Sequence, residues 1–227
     1  MEIYPYQIEN GHLLIQLGKI RALVSTGTTD SMCSSAELAV AGKVFKVKQQ
    51  TLRMSVPTLS TEIDTRLDAL IGADILSMFD YRINPFRKEL MLSTEETHPY
   101  GYAAHIHLYR GVPIVSIWVD SKEAQVFFNT GSRLTYLVPE IACRFPLVGK
   151  TRAFYPGIGW WETPLYRILI WMSGNDVELD VGLPPDQLLT TLQLTHTLGV
   201  IGCDIFDGPG VFLASRRREV IWFWHDY

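Results

Sequence analysis

Short apolar runs separated by polar residues recur along the whole chain, and no stretch has a sustained period of 3.6 residues. Alternation with a period of two is typical of half-buried β-strands, whereas an amphipathic helix needs apolar residues at every third or fourth position. The pattern therefore predicts an all-β, or mainly β, protein in which helices are limited to short segments.

Two pairs of apolar runs are predicted to form β-hairpins of the same design. The first covers residues 12–24 and turns at 18–19, and the second covers residues 112–128 and turns at 120–123. Glycine or polar residues between two apolar runs favour tight turns. The second arm of each hairpin leads into a polar loop.

These polar loops carry a motif that occurs twice. Residues 25–27 read Ser-Thr-Gly and residues 129–131 read Asn-Thr-Gly, and each tripeptide is followed by small polar residues. An apolar residue and a glycine then recur downstream of each loop, at 71–72 and at 201–202. Two motifs in the same order, each present twice, indicate an internal duplication.

The two tripeptides resemble the Asp-Thr-Gly loops of the retropepsin and pepsin-like aspartic protease family, with the aspartate replaced in both. The Ile-Gly pairs resemble the family's second motif, so the resemblance covers most of the chain. It implies two tandem lobes with pseudo-two-fold symmetry, an N-terminal lobe at 1–93 and a C-terminal lobe at 101–227. The polar, proline-containing segment 94–100 is the predicted linker. The interval between the motifs is 46 residues in the first lobe and 72 in the second, which places an insertion where the family has its flap.

The resemblance places Ser25 and Asn129 at the positions of the two catalytic aspartates, which share a proton in the family. Neither a serine hydroxyl nor an amide exchanges protons as a carboxylate does near neutral pH, so no catalytic residue is expected here. Asp74 and Asp204, just after the Ile-Gly pairs, are expected to cap the next turn. The resemblance assigns the scaffolding of the loops to Thr26, Gly27, Thr130, Gly131, Gly72 and Gly202.

A Pro-Gly pair at 156–157 with aromatic residues on both sides predicts a hairpin tip inside the insertion. Tyr155, Trp160 and Trp161 either belong to a flap that closes over the cleft or pack as an aromatic cluster on their own lobe, and the sequence leaves both readings open. Asp30 matches a position at the edge of the family's substrate groove, but a turn-capping role is equally compatible with the sequence.

Other candidate chemistries have weaker support. A nucleophilic Ser25 requires an adjacent base, and none of the six histidines falls in either loop. His105 and His107 share one face of a predicted strand, but no third ligand follows at a metal-ligand spacing. We therefore predict no metal and no cofactor. Three cysteines are interpreted as small buried hydrophobic residues: Cys33, Cys143 and Cys203.

Composition narrows the choice of partners. A net charge of -4 and a pI near 5.9 give no electrostatic reason to expect nucleic acid or an anionic membrane. The arginines at 216–218 are interpreted as a solvated turn between two strands. No apolar stretch approaches the ~20 residues that span a bilayer, and the chain begins without a signal-peptide pattern, so we expect a soluble, cytoplasmic protein.

The sequence thus predicts a catalytically inactive, aspartic-protease-like protein that binds a polypeptide through the inter-lobe cleft or an outer surface. It is expected to be a pseudo-dimeric monomer or a subunit of a protein complex. The enzymatic alternative is an active aspartic peptidase whose two aspartates have been replaced. The structural alternative is a subunit of a larger assembly, with the aromatic segment 222–224 as its interface.

Overall fold

The computed structural model describes residues 1–51, 54–97, 103–155 and 158–225. Strands make up 51% and helices 13% of the structure, which confirms the mainly β prediction. The strands are β1 Glu2–Glu9, β2 His12–Leu17, β3 Ile20–Val24, β4 Met32–Cys33, β5 Glu37–Val40, β6 Lys43–Lys46, β7 Ala69–Ile71, β8 Asp80–Asn84, β9 Glu89–Ser93, β10 Ala104–His105, β11 His107–Tyr109, β12 Val112–Val119, β13 Lys122–Phe128, β14 Tyr136–Leu137, β15 Leu147–Tyr155, β16 Gly159–Met172, β17 Asn175–Gly182, β18 Gly199–Ile201, β19 Gly210–Ala214 and β20 Glu219–Phe223. The helices are α1 Val56–Glu62, α2 Ala73–Leu76, α3 Pro139–Ala142 and α4 Asp186–Leu194, with a 3-10 helix at Cys203–Asp207.

Two large sheets build the molecule. One runs in the order β10-β20-β19-β8-β9-β1-β2-β3-β7-β4, and the other runs in the order β11-β12-β13-β18-β14-β17-β16-β15. In the second sheet β12 also pairs with β16, which closes six of its strands into a barrel. β5 and β6 form a separate hairpin. Both predicted hairpins are confirmed, as β2–β3 and as β12–β13.

The duplication extends upstream of the two predicted hairpins, to β1 and β11, where the sequence pattern did not indicate it. The strand pairs β1–β2 and β11–β12 are joined by turns of the same conformation, with φ of 50° and 80° at Asn10 and Gly11 and φ of 52° and 84° at Arg110 and Gly111. Two successive positive φ values define the hairpin turn for which Asn-Gly is the preferred sequence. Arg110 adopts the same conformation without that preference, so the sequence signal is present in only one copy.

The two halves are joined by backbone hydrogen bonds within the first sheet, where four neighbouring strands come from both lobes. β8 pairs antiparallel with β19, with β9 and β20 on the outer sides. Tyr81 lies opposite Leu213 and Ile83 lies opposite Val211, around a central pair formed by Arg82 and Phe212. Because β8 and β19 follow their Ile-Gly motifs at equal distances along the chain, this pairing is itself pseudo-two-fold symmetric.

The prediction that the aromatic segment 222–224 forms an external interface is wrong. Trp222 and Phe223 are buried, and the Trp222 ring lies 5.7 Å, centroid to centroid, from the ring of Phe128. The segment continues the apolar face of β20 into the core. Its apolar character therefore reflects packing within the chain.

Two other sequence interpretations are corrected in part. The basic turn 216–218 does lie between β19 and β20, but Arg217 forms ion pairs with Glu96 and Glu219. Cys143 is exposed, whereas Cys33 and Cys203 are buried as predicted, and all three thiols are free.

The predicted domain boundaries, 1–93 and 101–227 around the linker 94–100, remain predictions, because residues 98–102 lie outside the described part of the chain. None of the helices within the described ranges is long and apolar enough to cross a membrane.

Candidate functional site

The two duplicated loops leave the ends of β3 and β13 and meet in the interior. In each half the strand carrying Ile-Gly runs parallel to the strand that delivers the loop. The N–H of Ser25 donates to the carbonyl of Ile71, and the N–H of Asn129 donates to that of Ile201, both at 2.9 Å. The second motif therefore fixes where the first residue of each loop begins.

Reciprocal hydrogen bonds between two threonines lock the loops together. The Thr26 hydroxyl donates to the carbonyl of Phe128 (2.7 Å) and accepts from the N–H of Thr130 (3.0 Å). The Thr130 hydroxyl donates to the carbonyl of Val24 (2.7 Å) and accepts from the N–H of Thr26 (3.1 Å). All four contacts are buried, so each lobe supplies the partners that the other lobe's backbone requires.

Gly27 and Gly131 are needed for space. A Cβ built on Gly27 would overlap the side chain of Asn129, and a Cβ on Gly131 would overlap that of Ser25. Neither glycine has a left-handed backbone, so glycine is needed here for space and not for its access to positive φ. Each loop leaves out a side chain so that the first residue of the other loop can approach.

Ser25 and Asn129 face each other at the centre. The Ser25 hydroxyl donates to Asn129 Oδ1 over 3.3 Å and lies 2.7 Å from the hydroxyl of Thr28. Asn129 Oδ1 also accepts from the N–H of Gly131 at 2.9 Å. Ser25 and Asn129 are 1% and 5% exposed. The pair is thus a neutral, hydrogen-bonded centre without a group that titrates near neutral pH.

Asp74 and Asp204 brace the ends of the loops. The expectation that they cap the following turns is confirmed for Asp74, whose Oδ1 accepts from the N–H of Ile75 in α2 at 2.9 Å. The residues at the N-terminal caps are glycines. The Asp74 carboxylate accepts from the N–H (3.0 Å) and hydroxyl (2.6 Å) of Ser31. The Asp204 carboxylate accepts from the N–H (2.8 Å) and hydroxyl (2.6 Å) of Thr135. Burial raises the pKa of Asp204 to about 6, against the opposing effect of these hydrogen bonds.

Gly72 and Gly202 complete this bracing. The N–H of Gly72 donates to the hydroxyl of Ser31 (2.8 Å), and the N–H of Gly202 donates to the hydroxyl of Thr135 (3.1 Å). A Cβ at Gly72 would lie 2.7 Å from the carbonyl oxygen of Thr28, too close for any other residue without displacing backbone. Position 72 in the second motif is therefore glycine because the loop that contains Thr28 passes directly over it.

A cleft of about 980 Å³ lies between the lobes and reaches Ser25 and Asn129. Asp30, for which the sequence left a groove role and a turn-capping role open, lines this cleft and forms a 2.8 Å ion pair with Lys48. The wall on the N-terminal side is largely apolar and includes Leu23, Met32, Leu59, Ile63 and Leu70.

The insertion in the second lobe forms the hairpin β15–β16, which reaches over this cleft. Phe154 packs among apolar residues of the first lobe. Trp160 Nε1 donates to Glu62 Oε2 of α1 at 3.0 Å. Tyr155 lines the cleft, and burial raises its pKa while a hydrogen bond with Asn129 opposes that shift.

The two readings of the aromatic residues are thus both partly correct. Tyr155 and Trp160 contact the cleft or the opposite lobe, as expected for a flap. Trp161 instead packs on its own lobe, with its ring 5.5 Å, centroid to centroid, from that of Tyr136. The Pro-Gly pair at 156–157 lies outside the described residues.

His12 also lines the cleft, although its sequence position gave no indication of this. It is the first residue of β2 and is buried, with Nδ1 3.2 Å from the carbonyl oxygen of Gly131. Burial lowers the pKa of His12 to about 4. The hydroxyl of Ser25 is hydrogen-bonded to Thr28 and Asn129 instead of to this imidazole, which does not support a serine nucleophile activated by His12.

The imidazole rings of His105 and His107 are exposed and their centroids are 5.6 Å apart. Among the described residues, no group of three or more His, Cys, Asp or Glu side chains is arranged to hold a metal ion. His98, another of the six histidines, lies outside the described residues.

Comparisons with known proteins relate the fold, but not the sequence, to a family. No family model matches this chain, and no curated protein matches its sequence. Among solved structures, it is similar to basic 7S globulin from soybean, with a TM-score of 0.52, 9% sequence identity, and coverage of 97% of this chain and 94% of the other. That protein has a pepsin-like, bilobal aspartic protease fold. At this identity, the similarity shows the fold alone.

The reciprocal threonines yield a stability prediction. Thr26→Val leaves the N–H of Thr130 and the carbonyl of Phe128 buried without their partner. At about 1–3 kcal/mol for each buried unsatisfied group, we expect the free energy of unfolding to fall by about 2–6 kcal/mol in urea denaturation. Thr26→Ser keeps the hydroxyl and should cost about 1 kcal/mol, mainly for one lost methyl group. Equal losses in the two variants would show that the hydrogen bonds contribute little.

His12 yields a prediction about pH. Its folded pKa of about 4 is below the ordinary value of 6.5, so the unfolded chain binds this proton first as the pH falls. The contribution of neutral His12 to the free energy of unfolding is therefore complete above pH 6.5. It is lost as the pH falls to about 4, and the loss amounts to about 3 kcal/mol. His12→Asn keeps a donor for the carbonyl of Gly131, and its unfolding free energy should fall less over this interval than that of the wild type. The exposed His107→Asn is the control, and an unchanged pH profile in the His12 variant would contradict the assignment.

Proposed function

We propose that this protein is a catalytically inactive, aspartic-protease-like protein that binds a polypeptide in the cleft between its lobes. The observation that carries the proposal is the centre of the cleft. The loop scaffold that pairs two catalytic carboxylates in the resembled family is retained, but the two side chains at 3.3 Å are those of Ser25 and Asn129.

The expected inactivity follows from proton chemistry. Peptide hydrolysis by the family mechanism needs one carboxylate to activate water and a second carboxyl group to protonate the carbonyl. The amide of Asn129 does neither at accessible pH, and the hydroxyl of Ser25 is not appreciably basic. Both groups remain suited to hydrogen bonding with the backbone of a bound chain.

The shape and lining of the cleft support a polypeptide ligand. A volume of about 980 Å³ is at the upper end of the roughly 300–1,000 Å³ typical of small-molecule sites. The apolar wall around Leu23 and Met32 suits apolar side chains, while Asp30, Gln187 and Thr191 offer polar groups to a peptide backbone. A single chain contributes both walls, so we propose that a monomer is sufficient for binding.

One observation favours the enzymatic alternative. The threonines and glycines of both loops have the full set of cross-loop contacts, as expected if two aspartates had recently been replaced in an active peptidase. The binding and restoration experiments below distinguish these two functions.

Binding is tested with fluorescein-labelled, denatured casein as the polypeptide probe. We expect a rise in fluorescence anisotropy with the wild-type protein and no release of labelled fragments between pH 3 and pH 8. Thr191→Trp, on the cleft side of α4, should weaken binding at least 10-fold because the indole fills space that the ligand requires. Thr190→Trp makes the same substitution at an exposed neighbour that does not line the cleft and should bind normally. Equal binding by both variants would remove the cleft as the site, and fragment release by the wild type would refute inactivity.

Restoring the carboxylates tests why activity is absent. The double variant Ser25→Asp/Asn129→Asp should show weak hydrolysis of the same casein with an acidic optimum, because two adjacent carboxyl groups share one proton. We expect a rate at least about 100-fold below that of an active family member, since a misplacement of about 1 Å costs that much. A folded double variant that binds without cutting is compatible with a binding protein, whereas vigorous hydrolysis would favour the peptidase alternative.

A further inference from the structure

A second surface with recognisable chemistry lies on the outer face of the second-lobe barrel, formed by β12, β13, β16 and β17. Four residues in register form a row across these strands. Glu123 lies opposite Trp118, Trp118 lies opposite Trp171, and Trp171 lies opposite Asp176. Neighbouring strands are about 4.8 Å apart, so the row is roughly 14 Å long.

The row faces solvent because the alternate residues of the same strands fill the core. Ile117, Ala124, Ile170 and Val177 all belong to the main buried cluster. Successive side chains of a strand point to opposite faces of the sheet, so the neighbours of these residues in the row point outwards. Trp118 is 39% and Trp171 43% exposed.

The two indoles form a perpendicular pair, with ring centroids 6.2 Å apart and an angle of 88° between the planes. Leu169, on the same face of β16, is 52% exposed. Two large aromatic side chains and a leucine in adjacent exposed positions make an apolar patch that the packing of the described residues does not explain. Contiguous exposed apolar patches with a polar rim mark interaction sites.

The surroundings of this patch are acidic. The outer face of these four strands carries the carboxylates Glu123, Asp176, Glu178 and Asp180 against one arginine, Arg167. Arg167 forms ion pairs with Asp180 and Glu178. Within the described part of the chain, the carboxylates at the two ends of the row, Glu123 and Asp176, have no ion-pair partner.

We propose that the row Glu123–Trp118–Trp171–Asp176 binds an arginine-containing basic segment of a partner protein. An indole face attracts cations, and a guanidinium also stacks on an aromatic ring while donating hydrogen bonds to a carboxylate. Here each tryptophan has a carboxylate directly beside it on its outer side. The row therefore offers two equivalent aromatic–carboxylate pairs, one at each end.

The spacing of the pairs defines the ligand. In an extended chain four residues cover about 13 Å, which is close to the length of the row. Two arginines at positions i and i+4 of an extended segment therefore reach the two ends. This surface is separate from the inter-lobe cleft, and the inference does not depend on peptide binding there.

The probe is the labelled peptide acetyl-Arg-Gly-Arg-Gly-Arg-amide, whose outer arginines are four residues apart. We expect binding by fluorescence anisotropy that weakens with added salt, and at least 10-fold weaker binding to Trp118→Ala/Trp171→Ala. The isosteric variant Glu123→Gln/Asp176→Asn, which keeps both indoles and removes two charges, should weaken binding at least 5-fold. The same peptide with citrulline in place of each arginine keeps the shape, removes the positive charges and should not bind.

The matched control is Glu140→Gln/Asp186→Asn, which removes the same charge from exposed positions on α3 and α4 of the same lobe. It should bind the arginine peptide like the wild type. The proposal is overturned if this control weakens binding as much as the Glu123/Asp176 variant, if the citrulline peptide binds equally well, or if no arginine peptide binds. It is also overturned if the wild type self-associates in sedimentation and only the tryptophan variant is monomeric, since the surface would then be a contact between copies of this chain.

Discussion

The paired hydrogen bonds of Thr26 and Thr130 are the constraint on which the centre of the molecule depends. Each hydroxyl satisfies a buried N–H and a buried carbonyl of the opposite loop, and a buried backbone group without a partner costs about 1–3 kcal/mol. Neither lobe can satisfy these groups by itself. The loops are therefore held at a distance at which only glycine fits at 27 and 131, and Ser25 and Asn129 are brought together as a consequence.

Around this symmetric centre the two halves have diverged. The continuous sheet through β8 and β19 repeats the two-fold relation at the base of the molecule, and Ser31–Asp74 and Thr135–Asp204 repeat it at the ends of the loops. The flap breaks it. Within the described ranges only the second lobe has a long hairpin of this kind, β15–β16, and its Phe154 packs into the apolar wall of the first lobe. The contacts that support the two loops are thus symmetric, while the cleft above them is lined differently on its two sides.

Burial shifts the pKa values of His12 and Asp204, which lie near this centre, in opposite directions. His12 has a lowered pKa, so its contribution to stability is lost as the pH falls from 6.5 to about 4. Asp204 has a pKa raised from 3.8 to about 6, so its contribution is present at low pH and is lost as the pH rises through that interval. The two effects oppose each other between about pH 4 and pH 6. With Ser25 and Asn129 neutral, the centre of the cleft carries no charge of its own around pH 7.

The sequence by itself determined the mainly β class, both loop-bearing hairpins, the duplication and the chemical neutrality of positions 25 and 129, because these depend on local alternation and on residue identity. It did not determine β1, the burial of Trp222 or the place of His12 in the cleft. β1 is largely exposed and has little apolar alternation, and the surroundings of Trp222 and His12 come from residues about 100 positions away, Phe128 and Gly131. The meeting of the two lobes decided which aromatic residues reach across the cleft. Strand register decided which four residues line up as the outer row. Both features depend on contacts between segments that are far apart in the chain, and such contacts cannot be read from a single sequence.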